Sequence, residues 1–174
     1  MLPLNISDLL GNKLLDATIN KFDLLLLYMS YKGIYRPSNP KKYKGDSQNI
    51  IYRSLWERKF MNYCDLNENI LEWASEEFWI PYLDPTTNRV RRYFPDFFIK
   101  YKDKDRNIRR SVIEVKPMRE TLQPKPTKGK SRKTMINESM TYVKNQAKLK
   151  AAREFCVDRK LEFKIMTEKE LVIR

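Results

Sequence analysis

Phe94-Pro95-Asp96 and Val112-Ile113-Glu114-Val115-Lys116 are the two stretches of this 174-residue chain whose reading decides the fold. In a strand, alternate side chains share a face, so Glu114 and Lys116 point one way while Ile113 and Val115 point the other. Residues 89–99 and 111–116 read as two strands of one hairpin, joined by a long charged connection over 100–110, and that pairing brings Asp96 beside Glu114. The apolar neighbours Phe94, Phe97, Phe98, Val112, Ile113 and Val115 set these charges at the edge of a packed core. Carboxylates and a lysine in such a setting are costly unless they pair or hold a metal. Two carboxylates, the Val115 carbonyl and waters suit Mg2+, which takes few protein ligands. Lys116 is then placed to orient a water or to neutralise charge in the transition state.

Composition narrows the chemistry further. The chain has 35 Lys+Arg against 22 Asp+Glu, a formal net charge of +13, and no histidine. Without histidine, Ser-His-Asp and Cys-His hydrolysis and His-ligated zinc are excluded. Two cysteines, Cys64 and Cys156, are too few for a four-thiolate zinc site or a disulfide framework, and read as small buried residues in a reducing compartment. The charge steers the chain toward a polyanion. With 8 Phe, 10 Tyr and 3 Trp to supply a core, nucleic acid is the leading partner and an anionic membrane surface the blander one. No run approaches the ~20 apolar residues of a membrane span. The N-terminus lacks the pattern of a secretory signal, so a soluble, intracellular chain is expected.

Read from end to end, the chain shows no internal repeat. Residues 5–29 carry leucines at helical spacing behind Ser7, a helical extension over 1–28. Residues 29–49 are turn-rich and carry Lys41, Lys42 and Lys44, the composition of a basic arm or linker laid over the body. Residues 50–174 form the main domain. There a helix is expected over 51–64 with Ile51, Leu55, Phe60 and Met61 inward, and a strand-like stretch over 70–82. Residues 117–133 read as a mobile basic loop, 134–160 as a helix with Met135, Met140, Val143, Ala147, Ala151 and Phe155 on one face, and the region of Phe163 and Ile165 as a last strand. The expected class is α/β, a mixed central sheet flanked by helices in the order helix-strand-strand-strand-helix-strand. Trp73 and Trp79 are expected in the core rather than on a base-stacking surface, and Glu76 and Glu77 divide into one inward partner and one solvated acid.

In this order of elements, Pro95-Asp96 with Glu114-Val115-Lys116 resembles the PD-(D/E)XK nuclease superfamily. The surrounding set sharpens the likeness: Tyr52-Arg53-Ser54 with Glu57, Trp73 with Ser75-Glu76, Ile80-Pro81-Tyr82, Arg92-Tyr93-Phe94-Pro95-Asp96, Glu114-Val115-Lys116-Pro117, Ala151-Ala152 and Thr167-Glu168. Over roughly residues 29 to 171 it resembles the TnsA-like endonuclease branch, most of all the head completion nucleases of contractile-tailed phages. The resemblance implies a restriction-endonuclease-like core and a divalent-metal-dependent DNA endonuclease that finishes the DNA-filled head before tail attachment. It implies Asp96 and Glu114 as metal-binding acids, Lys116 as the catalytic lysine and Glu57 as an additional active-site acid, with Mg2+ as cofactor and Mn2+ as substitute. DNA contacts are expected from Arg53, from Lys125, Lys128, Lys130, Arg132 and Lys133 of the basic loop, and from Gln146 and Lys148 on the last helix. Partners are DNA and phage head or neck proteins, and the location is the host cytoplasm during assembly, with association to the virion. A non-catalytic DNA-binding or virion-structural protein on this scaffold and a transposase-type subunit are the alternatives. Because the family pattern begins near Met29, residues 1–28 are read as either a lineage-specific helix or the product of a start upstream of a natural Met29.

Overall fold

The computed structural model describes residues 31–127, 129–167 and 170; the expected helix over 5–29, Lys128 and Glu168 lie outside the described residues. A mixed four-stranded sheet organises the rest, built from β3 (Ile70–Ser75), β6 (Phe97–Lys102), β7 (Ile108–Val115) and β8 (Glu162–Met166) in the order β3-β6-β7-β8. The β3-β6 and β6-β7 pairs are antiparallel and β7-β8 is parallel. On one face α1 (Leu55–Leu66) covers the sheet, burying Trp56, Phe60, Met61 and Cys64 against Trp73, Phe97, Ile99 and Ile113. On the other face lie α3 (Arg132–Asp158) and a two-stranded ribbon of β4 (Ile80–Asp84) and β5 (Arg89–Tyr93), which bury Ile80, Tyr82, Tyr93 and Ala152. This is the mixed α/β sheet with flanking helices that the sequence predicts.

Several elements differ from their sequence-level boundaries for local physical reasons. The stretch over 89–99 is two strands in two sheets. Pro95 has no N–H and cannot continue a ladder, so β5 pairs with β4 while β6 joins the main sheet. The 70–82 stretch also divides, at Glu76, whose φ of 55° turns the chain out of the extended region. The 51–64 helix starts only at Leu55. Ser54 caps it by accepting the Glu57 N–H at 3.1 Å, and Glu57 answers by accepting the Arg53 N–H at 2.8 Å. Residues 50–52 become β2 (Ile50–Tyr52), paired with β1 (Gly33–Tyr35), so Ile51 faces outward. In the basic loop, residues 118–121 form the short helix α2 (Met118–Thr121). Only the C-terminal half of α3 reaches the core: Leu149, Ala152 and Cys156 are buried, whereas Ile136, Met140 and Val143 are exposed.

Residues 31–49 are packed into the body, with Tyr35 and Tyr43 in its core, and are held by a buried acid at the end of α1. Asp65 accepts the Ser38 N–H at 2.6 Å, the Asn39 N–H at 2.9 Å and the Tyr35 hydroxyl at 3.2 Å. Lys42 adds bonds to the Asp65 and Asn67 carbonyls, both at 2.9 Å, and Lys44 faces Glu72. These lysines therefore serve the fold. Asp65→Ala strands three donors at once and is expected to cost about 3 kcal/mol, read as a lower urea midpoint at unchanged slope. A loss within 0.5 kcal/mol would show that the arm is held by its buried tyrosines alone.

Candidate active site

The site forms where β6 begins and β7 ends. Phe97 pairs with Ile113, so the register carries Asp96 to the position facing Glu114. Asp96 Oδ2 accepts the Val115 N–H at 2.7 Å, which ties the loop after Pro95 to the central strand. Glu114 is only 3% exposed. Its Oε1 lies 2.9 Å from Lys116 Nζ, and its Oε2 accepts the Tyr93 hydroxyl from the β4-β5 ribbon. The Lys116 N–H donates to the Met166 carbonyl at 2.9 Å, so β8 fixes the backbone on which the lysine stands. The shared face of Glu114 and Lys116 predicted by strand alternation is thus present, and it looks toward α3 and the ribbon.

Electrostatics bind a wider group together. Burial, then the charge of Glu114, pushes the Asp96 carboxyl well above the usual carboxylate range. Burial alone would lower the Lys116 ammonium, but the Glu114 and Asp96 carboxylates outweigh it and hold the group above its ordinary value. Lys148 on α3 is shifted the other way, lowered by burial and by the neighbouring Lys116 charge, with its ammonium 5.8 Å and 5.9 Å from the ring centres of Tyr82 and Tyr93. Burial raises the Glu57 carboxyl, whose charge is felt at Asp96. Both Glu57 oxygens already serve the helix start, Oε2 with the Arg53 N–H and Oε1 with the Ser54 hydroxyl at 2.9 Å.

Among the described residues no three His, Cys, Asp or Glu side chains gather into a metal-holding cluster. The donor set here is smaller: two facing carboxylates, the nearby Val115 backbone and one ammonium. A hard cation that keeps most of its waters needs no more than this. Burial first and the facing Glu114 charge second disfavour the ionised Asp96 carboxyl, and a divalent ion between the two acids would offset both. The residues fit such an ion.

The expected DNA contacts are more scattered. Arg53 is paired with Glu76. Lys125, Arg132 and Lys133 are exposed on the loop and the first turn of α3, while Lys130 is held 2.7 Å from Glu138. Gln146 is half-buried on α3, and Lys148 lies within the site's own charge cluster rather than on an outer groove. Glu76 faces Arg53, and Glu77, although largely exposed, accepts the Tyr43 hydroxyl at 2.6 Å. Cys64 and Cys156 are buried free thiols, and Trp73 is fully buried. Trp79 is not in the core: it is 46% exposed, because the turn at Glu76 places it on the outer side of the ribbon.

The family model for the N-terminal domain of TnsA-like endonucleases matches residues 67–168. The chain belongs to the TnsA-like endonuclease family. It is also 38% identical over 143 residues to the head completion nuclease of Enterobacteria phage T4, an overlap of 80% of this chain and 93% of that relative. The likeness to that branch of the PD-(D/E)XK nucleases, and to a head completion nuclease, is therefore borne out. In this TnsA-like endonuclease the matched span holds Asp96, Glu114, Lys116 and Lys148, and begins after Arg53 and Glu57.

Tyr93 is the functional candidate that sequence reasoning passed over. Its place before Phe94-Pro95-Asp96 was visible, but its bond to Glu114 depends on packing the β4-β5 ribbon on the sheet. Burial and the Glu114 charge hold its hydroxyl protonated far above the usual phenol range, so it is a permanent donor to that carboxylate. Tyr93→Phe is expected to lower the cleavage rate about ten- to a hundred-fold, the usual effect of losing a side chain that orients a ligand carboxylate. Single-turnover kinetics at saturating DNA check this; a rate within two-fold of wild type would deny Tyr93 that role.

Proposed function

We propose that the chain is a divalent-metal-dependent DNA endonuclease acting in phage head completion, after packaging and before tail attachment. The observation that carries this reading is the Asp96–Glu114–Lys116 group on adjacent strands of a TnsA-like endonuclease, with the Lys116 ammonium 2.9 Å from Glu114. The named activity of the phage T4 relative supports the assembly role. Asp96, Glu114 and the Val115 carbonyl would hold Mg2+, with Mn2+ as substitute. When bound, the ion acts as a Lewis acid on a phosphate oxygen and eases ionisation of a water.

The chain's own groups do the rest. Lys116, with its ammonium 2.9 Å from Glu114, is placed to donate a hydrogen bond and to offset charge gathering on the phosphate. Tyr93 keeps Glu114 in one orientation. Glu57 orders water at the rim with the acceptor capacity its helix cap leaves over. Arg53, Gln146 and Lys148, with Lys125, Lys128, Lys130, Arg132 and Lys133, supply phosphate contacts that fix position without reading sequence. Water oxygen forms the new bond to phosphorus, the bond to the 3′ oxygen breaks, and that oxygen leaves with a proton to give 3′-hydroxyl and 5′-phosphate ends. The test is supercoiled plasmid incubated with the protein and Mg2+ or Mn2+. Open-circular and linear products that vanish with EDTA are expected. No product with any divalent ion would favour a non-catalytic DNA-binding role, and cleavage that persists in EDTA would contradict the metal assignment.

A further inference from the structure

The β4-β5 ribbon presents one face inward and one outward. Ile80, Tyr82 and Tyr93 are buried, while Pro81, Leu83, Val90 and Arg92 are exposed. Ile80 pairs with Tyr93, so the next positions toward the catalytic carboxylates are Trp79 and Phe94. Both are large aromatics left nearly half exposed, at 46% and 44%. The Arg92 guanidinium lies 5.0 Å from the centre of the Trp79 ring. Two solvent-exposed aromatics at adjoining register positions, one with a guanidinium over its ring, offer a surface on which a further planar group can stack.

Its location gives it a ligand. Phe94 is two residues before Asp96, a separation of at most about 7 Å along the backbone. Tyr93, between Arg92 and Phe94, donates to Glu114, and the buried Pro95 fixes the chain between Phe94 and Asp96. The aromatic surface and the proposed metal-binding acids are therefore joined by a short stretch of chain anchored on both sides. A chain of net charge +13 draws a polyanion. Within a duplex the base faces are hidden in the stack, and at a blunt end one face of a single base pair is open, so an unpaired base is the group most free to lie on an exposed ring.

We propose that Trp79, Phe94 and Arg92 form a platform on the outer face of the ribbon for one unpaired nucleobase of the bound DNA, so that the preferred substrate is DNA with a single-stranded end, flap or junction. This rests on the endonuclease reading above and adds its substrate class. Stacking of one base is worth roughly five- to 150-fold in affinity.

The test uses the full chain in EDTA, so that binding is read without cleavage. One duplex is made blunt, and a second carries a short single-stranded tail containing the fluorescent base 2-aminopurine next to the paired region. Wild type is expected to favour the tailed duplex and to quench its fluorescence. Trp79→Ala and Phe94→Ala should each lower the tailed-to-blunt affinity ratio by about five-fold or more, with quenching lost, and Trp79→Phe should recover most of both. Melting temperatures close to wild type exclude misfolding, and Trp79→Phe provides the reading if the alanine variants fold poorly. No wild-type preference for the tail, or a ratio unmoved by Trp79→Ala and Phe94→Ala, overturns the platform and leaves this face to a protein partner. Because no cleavage is needed, an inactive protein that still prefers the tail separates failure of the nuclease reading from failure of this one.

Discussion

Asp96→Asn and Glu114→Gln are each expected to abolish plasmid cleavage, by a thousand-fold or more, while leaving a folded protein that still binds DNA. Both replacements keep the shape of the side chain. Asn can still accept the Val115 N–H that Asp96 Oδ2 takes at 2.7 Å, and Gln can still accept the Tyr93 hydroxyl. What each removes is a negative charge that the proposed ion would face. Several kcal/mol of transition-state stabilisation by a divalent ion corresponds to about a thousand-fold or more in rate. Asp96→Asn should also raise the melting temperature. The Asp96 carboxyl is pushed upward by burial and by Glu114, so at neutral pH its ionised form opposes folding, and a neutral amide relieves that cost. A gain of about 1 kcal/mol would appear as roughly 2–4 °C in a chain of this size. An Asp96→Asn protein that is more stable and inactive is the pattern of a functional acid; a less stable and active one would mark Asp96 as structural.

Lys116→Met is expected to cost both rate and stability. The ammonium lies 2.9 Å from a carboxylate that is almost fully buried, and its removal leaves Glu114, among the described residues, with the Tyr93 hydroxyl as its hydrogen-bond donor. A loss of about 3 kcal/mol in stability follows from leaving a buried charge without its partner. In single-turnover cleavage at a temperature where the variant is folded, the rate should fall about a hundred- to a thousand-fold, as for loss of one preorganised donor to developing charge. Since Glu114 and Asp96 hold Lys116 above its ordinary pKa, wild type should show no rise in rate attributable to lysine deprotonation near neutral pH. A pH–rate profile with such a limb would assign Lys116 as the general base instead.

The Asp96–Glu114–Lys116 group was legible because it depends on short-range geometry: strand alternation places Glu114 with Lys116, and a hairpin brings Asp96 across. The Ser54–Glu57 pair is equally local but went unread, since the helix was expected from 51; Ser54 is its N-cap and Glu57 completes the cap. What sequence could not disclose is non-local. Asp65 anchors Ser38 and Asn39 across more than twenty residues, so a stretch with linker composition proved well held. Pro95 signalled an interruption, but not that β5 and β6 would enter different sheets. Tyr93 and Lys148 joined the site only when the ribbon and α3 were laid on the sheet. Trp79 looked like core because aromatic residues usually are, and the reversal at Glu76 turned it outward.

The most direct measurement is backbone cleavage by a redox-active ion in place of Mg2+. With Fe2+, ascorbate and peroxide, radicals cut the polypeptide next to wherever the ion is bound, and mass spectrometry locates the breaks. Breaks confined to the neighbourhoods of Asp96 and of Glu114 to Lys116, suppressed by added Mg2+ and absent in the Asp96→Asn, Glu114→Gln double variant, are the result expected. Breaks elsewhere, or the same breaks in the double variant, would contradict a metal centre built on these two carboxylates.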